Sequence, residues 1–256
     1  QLNEGQIWYN TTGDALKYTA GVGSWSAGGL LNTYREEAGG AGIQTAGICM
    51  GGLQSPSDSP RYRDETETYN GTAWTEVGDI NTGRAGLDAA GLITAALAFG
   101  GGNPGAAATV ESWNGSSWTE VGNLTSSRRD ASGWGTQALA NIAGGVPNSN
   151  LYEQWDGTSW TASTVINTGR SHIAAAGTQT AGLIFGGKVT STSQALTELW
   201  NGSTWTEVND ITTARRGSGG AGITTAAIMF GGTTGSNTAV TELYNGTSWT
   251  ETTDMS

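Results

Sequence analysis

The chain has 256 residues, with 42 glycines, 11 tryptophans and only 4 prolines, and just 13% of its residues are charged. Its many aromatic and small apolar residues exclude a disordered chain, and the scarcity of proline, with no three-residue glycine period, excludes a collagen-like one. The formal net charge of −11 would repel a polyanion, and no apolar run approaches the length of a membrane span, so we expect neither a nucleic-acid partner nor membrane insertion.

The first predicted elements are short β-segments within residues 1–34, which contain EGQIWYN, ALKYT and GSWSA. The last of them holds a tryptophan that opens a series along the chain: Trp25, Trp74, Trp118, Trp160, Trp205 and Trp249. Successive members are separated by 49, 44, 42, 45 and 44 residues. A period of this size indicates a tandem structural repeat.

Two further positions keep step with these tryptophans. An arginine follows each of the first five by 10 residues: Arg35, Arg84, Arg128, Arg170 and Arg215. A Gly-Gly pair ends 27 residues after each of the same tryptophans, at Gly52, Gly101, Gly145, Gly187 and Gly232. The spacing varies only between that pair and the next tryptophan, which predicts a rigid frame with one adjustable loop in each repeat.

Each repeat divides into four predicted strands. A small-residue stretch such as GGAGI follows the arginine, and an apolar run such as TAGLIFGG ends in the Gly-Gly pair. After the variable loop, two strands flank Asn-Gly or Asp-Gly, a dipeptide that accepts the positive φ angles of a type I′ hairpin turn. Four strands in about 45 residues match one blade of a β-propeller, in which small residues crowd the axis and tryptophans fill the wider gap outside. The sequence therefore predicts an all-β propeller.

The repeat resembles known families. A Gly-Gly pair after an apolar strand, then Tyr or Trp and shortly a second Trp, resembles the kelch pattern over nearly the whole chain, although these units are shorter and Trp often replaces Tyr. Units such as ELWNGSTWTEVNDI and AGITTAAIMFGG also resemble repeats of tailed bacteriophages, especially marine ones. This resemblance implies a virion or extracellular component, such as a tail fibre, that contacts other virion proteins and a host-surface glycan or receptor.

The predicted domain organisation has two parts. Residues 35–256 form five tandem kelch-like blades of one propeller domain, and residues 1–34 form a degenerate N-terminal blade or an arm. Trp8 precedes Trp25 by 17 residues, the usual spacing from a Gly-Gly pair to its tryptophan, which indicates a three-stranded unit without an inner strand. We therefore favour six blade positions, with a five-bladed ring as the alternative. An arm to a neighbouring copy would make the protein a homo-oligomer.

The repeated arginines have two interpretations. They could form a ring of cations near one opening of the channel, able to hold an anion or acidic sugar. We favour the other interpretation, in which each arginine fixes a blade junction, because a guanidinium is a fixed fork of donors suited to tying loops together. A second series offers carboxylate partners: Glu67, Glu111, Glu153, Glu198 and Glu242. A glutamate repeated five times is typical of structure rather than catalysis, which needs asymmetric environments.

The loops after the Gly-Gly pairs are the predicted binding surface, because they vary over an invariant frame. They span 53–66, 102–109, 146–150, 188–196 and 233–239. The longest contains the four predicted ligand-binding residues: Arg61, Tyr62, Arg63 and Asp64. His172 is predicted to be a loop or channel residue, and Cys49 a buried core thiol.

The sequence contains no Cys/His cluster for zinc and no phosphate-binding motif, so we predict no metal, no cofactor and no catalytic residue. These features favour a non-catalytic virion structural or attachment protein. A secreted propeller lectin or adhesin is the alternative. An extracellular glycan hydrolase is less favoured, because the only loop that is a candidate for acid–base groups, 53–66, lacks histidine.

Overall fold

A computed structural model describes residues 7–10, 15–18, 25–54, 59–147 and 150–255. The described chain contains strands and loops but no helix, and it forms a five-bladed β-propeller. Each blade is a four-stranded antiparallel sheet whose first strand lines a central channel. The prediction of an all-β propeller is confirmed.

The strands follow one another through the blades in chain order. An N-terminal hairpin precedes the blades: β1 (Ile7–Asn10) and β2 (Ala15–Tyr18). Blade 1 contains β3 (Gly39–Ile43), β4 (Ala46–Met50), β5 (Thr66–Tyr69) and β6 (Trp74–Glu76). Blade 2 contains β7 (Ala85–Leu92), β8 (Ala95–Gly102), β9 (Val110–Trp113) and β10 (Trp118–Glu120). Blade 3 contains β11 (Ser132–Gly135), β12 (Ala140–Ala143), β13 (Tyr152–Trp155) and β14 (Trp160–Ala162).

Blade 4 carries an additional hairpin in its variable loop, which the sequence does not predict. Its sheet and the inserted strands are β15 (Ala174–Thr178), β16 (Ala181–Phe185), the hairpin β17 (Lys188–Val189) and β18 (Thr192–Ser193), β19 (Thr197–Trp200) and β20 (Trp205–Val208). Blade 5 contains β21 (Gly219–Ile223), β22 (Ala226–Phe230), β23 (Thr241–Tyr244) and β24 (Trp249–Glu251).

The outer hairpin of each blade turns at the Asn-Gly or Asp-Gly dipeptide, but not through the expected type I′ turn. In blade 1 the last strand pair is Tyr69 with Trp74, which leaves a four-residue loop, and of its residues only Gly71 has a positive φ, 91°. The Asn70 side chain instead accepts hydrogen bonds from the amides of Thr72 and Ala73, each at 3.0 Å. This side-chain turn replaces one of the two left-handed residues that a type I′ turn needs.

The hydrophobic core lies between neighbouring blades. One buried cluster joins residues of blades 1 and 2: Ile48, Met50, Leu87, Trp113 and Trp118. The tryptophan that begins the fourth strand of a blade contacts the preceding blade. Trp118 Nε1 donates to Thr66 Oγ1 at 3.0 Å, and Trp249 Nε1 donates to Thr197 Oγ1 at 3.2 Å. Each large indole therefore buries apolar area and satisfies its N–H at a junction between blades.

Residues 25–34 span the outer side of the junction between blade 5 and blade 1. Trp25 Nε1 donates to Thr241 Oγ1 of blade 5 at 3.1 Å. At the other end, the amide of Asn32 donates to Glu67 of blade 1 at 2.7 Å, as Asn81 does to Glu111 of blade 2. Of the predicted N-terminal unit 1–34, residues 1–6, 11–14 and 19–24 lie outside the described residues. Nowhere in the described chain is there a helix long and apolar enough to cross a membrane.

Candidate binding face at the channel mouth

The five repeated arginines are buried in ion pairs with the five repeated glutamates. Each arginine lies in the segment that leads into the first strand of a blade, which we call the connector. Its partner lies on the third strand of the same blade: Arg35–Glu67, Arg84–Glu111, Arg128–Glu153, Arg170–Glu198 and Arg215–Glu242. The nitrogen–oxygen distance is 2.7 Å in the first pair and 3.1 Å in the fourth. All ten side chains are at most 2% exposed.

These pairs attach the connectors to the blades. The glutamates also accept backbone hydrogen bonds from the connectors, as Glu153 does from the amide of Thr125 at 2.7 Å. Burial lowers the pKa of Arg128 to about 10 and also lowers that of Arg170, because a buried guanidinium loses its hydration. The arginine series therefore fixes blade junctions and does not offer free cations to a ligand in the channel.

A second repeated position surrounds the channel mouth, two residues after each arginine. The residues there all have positive φ, between 53° and 64°: Glu37, Gly86, Asp130, His172 and Gly217. Their backbones form a chain of hydrogen bonds in which each amide donates to the carbonyl of the preceding member. Gly86 donates to Glu37 at 2.9 Å, and His172 donates to Asp130 at 2.7 Å. The sequence shows that these five positions are equivalent, but it does not predict their hydrogen-bonded ring, although Gly, Asp and His are among the residues that best tolerate left-handed backbone.

The variable loops lie beside this ring. Isolated β-bridges join four of the five connectors to the loop of the same repeat, as in Glu36 with Leu53, Arg129 with Val146 and Arg216 with Thr233. The ring and the loops therefore form one surface, which we call the variable-loop face.

Ionisable side chains of both signs meet at the mouth. His172 Nε2 lies 3.8 Å from Asp130 Oδ2. Burial lowers the pKa of His172 below its usual value, and the Asp130 carboxylate only partly opposes that effect. Burial also raises the pKa of Glu37, and the nearby Asp130 raises it further.

The loop of blade 1 presents only part of the predicted binding set to solvent. Arg61 is exposed and lies over the Tyr62 ring, with 5.8 Å from Cζ to the ring centroid. Asp64 is also exposed. Arg63 is half-buried and forms an ion pair with Glu65, to which its Nε donates at 2.8 Å. Arg61, Tyr62 and Asp64 are thus available to a ligand, whereas Arg63 supports the loop.

The cations that remain outside the buried pairs are concentrated on the variable-loop face. Among residues whose side chains the structure describes, they are Arg61, Arg63, Arg129, Lys188 and Arg216. Carboxylates are spread more widely, for example to Glu120 on the rim and Asp156 in the opposite turn. In an anionic protein, this face is where a negatively charged ligand meets the least repulsion.

The channel itself has a volume of about 660 Å³ and is lined mainly by glycine and alanine. Asp88 of β7 also lines it, and its carboxylate accepts hydrogen bonds from the amide of Gly133 at 2.7 Å and the hydroxyl of Ser132 at 3.3 Å. Burial raises the pKa of Asp88 to about 6, although these donors oppose the shift. The sequence signal for Asp88 is a carboxylate in a slot that holds Gly39 or Ala174 in other blades.

Four of the six repeated tryptophans are buried and cannot stack on sugars, whereas Trp25 and Trp74 are half-buried. Trp118, Trp160, Trp205 and Trp249 are all 5–6% exposed. Trp160 packs edge-on against Phe99 of the preceding blade, with ring centroids 5.3 Å apart. Cys49 is half-buried rather than fully buried, and burial raises the pKa of its thiol.

No group of three His, Cys, Asp or Glu side chains in the described part of the chain is placed to hold a metal ion. No protein-family model matches the chain, and neither does any curated protein. The fold defines the class of protein as a five-bladed β-propeller.

Proposed function

We propose that this protein is a non-catalytic attachment protein whose variable-loop face binds a host-surface glycan. The observation that carries the proposal is the location of the cations outside the five buried pairs. Every such cation whose side chain the structure describes lies on the face that also carries the variable loops. Electrostatic attraction to sulfated or carboxylated surface sugars would act through that face, while the rest of the anionic surface would be repelled.

The division between frame and loops also supports a binding role. The arginine–glutamate pairs and buried tryptophans hold the blades, and the repeats differ in length only in the variable loops. Binding residues commonly lie on loops that a rigid scaffold positions. A lectin with one aromatic site in each blade is disfavoured, because the repeated tryptophans of blades 2 to 5 are buried. A hydrolase is disfavoured because the repeated glutamates are paired with arginines.

The finer assignments follow from resemblance to known repeats. We include in the proposal that the repeats are kelch-type, that the protein is a virion or extracellular component such as a tail-fibre part, and that it contacts other virion proteins. Residues 1–34 would occupy a sixth position as a degenerate blade, or serve as an arm in a homo-oligomer.

The test is binding of the purified protein to a glycan array and to host cells with and without their surface polysaccharide. Arg61→Ala, Tyr62→Ala and Arg129→Ala together remove two exposed cations and one half-buried ring from the variable-loop face and should weaken binding at least tenfold. Leu92→Ala and Ile223→Ala, at exposed last residues of the inner strands β7 and β21 on the opposite face, provide a matched control that should bind like the wild type. Absence of saturable binding to both the array and the intact cells would overturn the proposal.

A further inference from the structure

The junction between blade 5 and blade 1, which we call the seam, differs from the other four junctions. The hydrogen-bonded ring at the channel mouth crosses those four, and its last bond joins the Gly217 amide to the His172 carbonyl at 2.9 Å. It stops at the seam. Within the described residues, the Glu37 amide and the Gly217 carbonyl have no hydrogen-bond partner. At the other four junctions the equivalent amide and carbonyl are bonded to each other. One further residue between Gly217 and Glu37 would therefore close the ring of hydrogen bonds.

Side-chain packing is also incomplete at the seam. Phe99 is fully buried against Gly133 of the next blade, and Phe185 is fully buried near Gly220 of the next blade. The equivalent Phe230 of blade 5 is only half-buried. It lines the channel and folds back over Gly219 of its own blade.

The opposite wall of the seam is open. Gly40 occupies the position of Gly133 and Gly220, but it is exposed, and a Cβ atom built on it would have only the Ile48 carbonyl within 4 Å. A Cβ atom on Gly217 would have no described neighbour within 4 Å. Three of the five residues of both β3 and β21 are exposed, against one of five in β15.

The outer side of the seam is organised as if a further blade followed blade 5. The Trp25 ring lies 5.2 Å from Phe230, much as Trp160 lies 5.3 Å from Phe99 and Trp249 lies 4.7 Å from Phe185. Trp25 thus takes the place of the fourth-strand tryptophan of a following blade. At its rim the seam therefore holds a segment that takes the place of a fourth strand. Near the channel axis, no described residue fills it.

We propose that the seam is an acceptor site for one extended β-strand of a partner polypeptide, which fills the inner position of this junction. The chemistry of that strand follows from the four established junctions. It needs a glycine in left-handed conformation to join the Gly217 carbonyl to the Glu37 amide, as Gly86 joins its neighbours. Two residues later it needs a run of glycine and alanine, because the inner strands crowd together around the channel. Phe230 would then pack against this strand.

Residues 214–224 of the chain, ARRGSGGAGIT, have this pattern and provide the probe as a synthetic peptide. We would titrate the full-length protein with it by calorimetry and follow amide hydrogen exchange by NMR. The control peptide carries valine at the position of Gly217, where a β-branched residue disfavours positive φ. On the protein, Gly40→Val fills the open wall of the seam, and Gly105→Val, at an equally open glycine in the loop of blade 2, is the matched control.

We expect saturable binding that slows exchange of the Glu37 amide at least tenfold. The control peptide and the Gly40→Val protein should each weaken binding at least tenfold, and Gly105→Val should leave it unchanged. Absence of binding, or binding that is indifferent to Gly40→Val, would overturn the proposal. So would a Glu37 amide already protected in the free protein, since the chain itself or a second copy would then fill the seam. None of these results depends on glycan binding.

Discussion

An unpaired indole in the junction between blades 2 and 3 gives the sharpest test of the packing. The fourth-strand tryptophan donates to a threonine of the preceding blade in two other junctions, through Thr66 and Thr197. Blade 2 has Val110 in that position, and Trp160 Nε1, although buried, has no hydrogen-bond partner among the described residues. The perturbation is therefore Val110→Thr.

The expected effect is stabilisation. Val110 is fully buried and belongs to the same cluster as Trp160, so a threonine hydroxyl there would accept the indole N–H. That hydroxyl can donate to the Ala108 carbonyl, as Thr241 Oγ1 does to the carbonyl of Ala239 at 3.5 Å. A buried neutral hydrogen bond contributes about 1 kcal/mol net. In a chain of this size, that raises Tm by about 2–4 °C.

The assay is urea unfolding followed by both tryptophan fluorescence and circular dichroism, with coincident transitions required before a free energy is derived. Thr197→Val is the reciprocal control, because it leaves Trp249 Nε1 unpaired and should lower the free energy of unfolding by about 1–2 kcal/mol. Destabilisation by Val110→Thr, or no effect of Thr197→Val, would refute the view that these bonds stabilise the junctions.

Three further changes test the frame and the channel. Arg84→Met should lower the free energy of unfolding by about 3–5 kcal/mol because it leaves the buried Glu111 carboxylate unpaired. Adding Glu111→Leu should recover most of that loss. Equal losses in the single and the double variant would contradict this explanation. The pKa of Asp88 is raised from 3.8 to about 6 in the folded state, so its stabilising contribution is complete below about pH 4 and is lost as the pH rises through 6. Relative to Asp88→Asn, the wild type should lose up to about 3 kcal/mol between pH 4 and pH 7, less if channel water reaches the carboxylate, and a constant difference would argue against the shift. Gly115→Ala, at a φ of 94°, should cost about 1–2 kcal/mol in urea unfolding, whereas Gly105→Ala should change stability by less than about 0.5 kcal/mol.

The repeated blade is predictable because constant spacings encode it. The tryptophan, arginine and Gly-Gly positions recur without variation, and each corresponds to a fixed place in the blade: the start of a fourth strand, a connector and the end of a second strand. The turn type is not predictable from Asn-Gly alone, because the Asn70 side chain competes with the backbone for the turn hydrogen bonds.

The candidate site was less predictable. The arginine and glutamate series were visible, but only the structure shows which glutamate each arginine meets: Arg84 pairs with Glu111, on the third strand of the blade that it enters. The mouth ring depends on a backbone conformation that Glu37 shares with glycine, and no side-chain pattern marks it. Which cations remain on the variable-loop face also depends on which arginines are buried in ion pairs within the blades.

The junctions have a direction that bears on how the protein folds. The tryptophan that begins the fourth strand of a blade is covered by the blade before it, whereas the arginine and the glutamate of each buried ion pair belong to one repeat. A repeat excised from the chain would therefore keep its ion pair but would expose its indole. The cooperative unit of folding is then a pair of neighbouring blades, and stability should accumulate along the chain with each junction that forms.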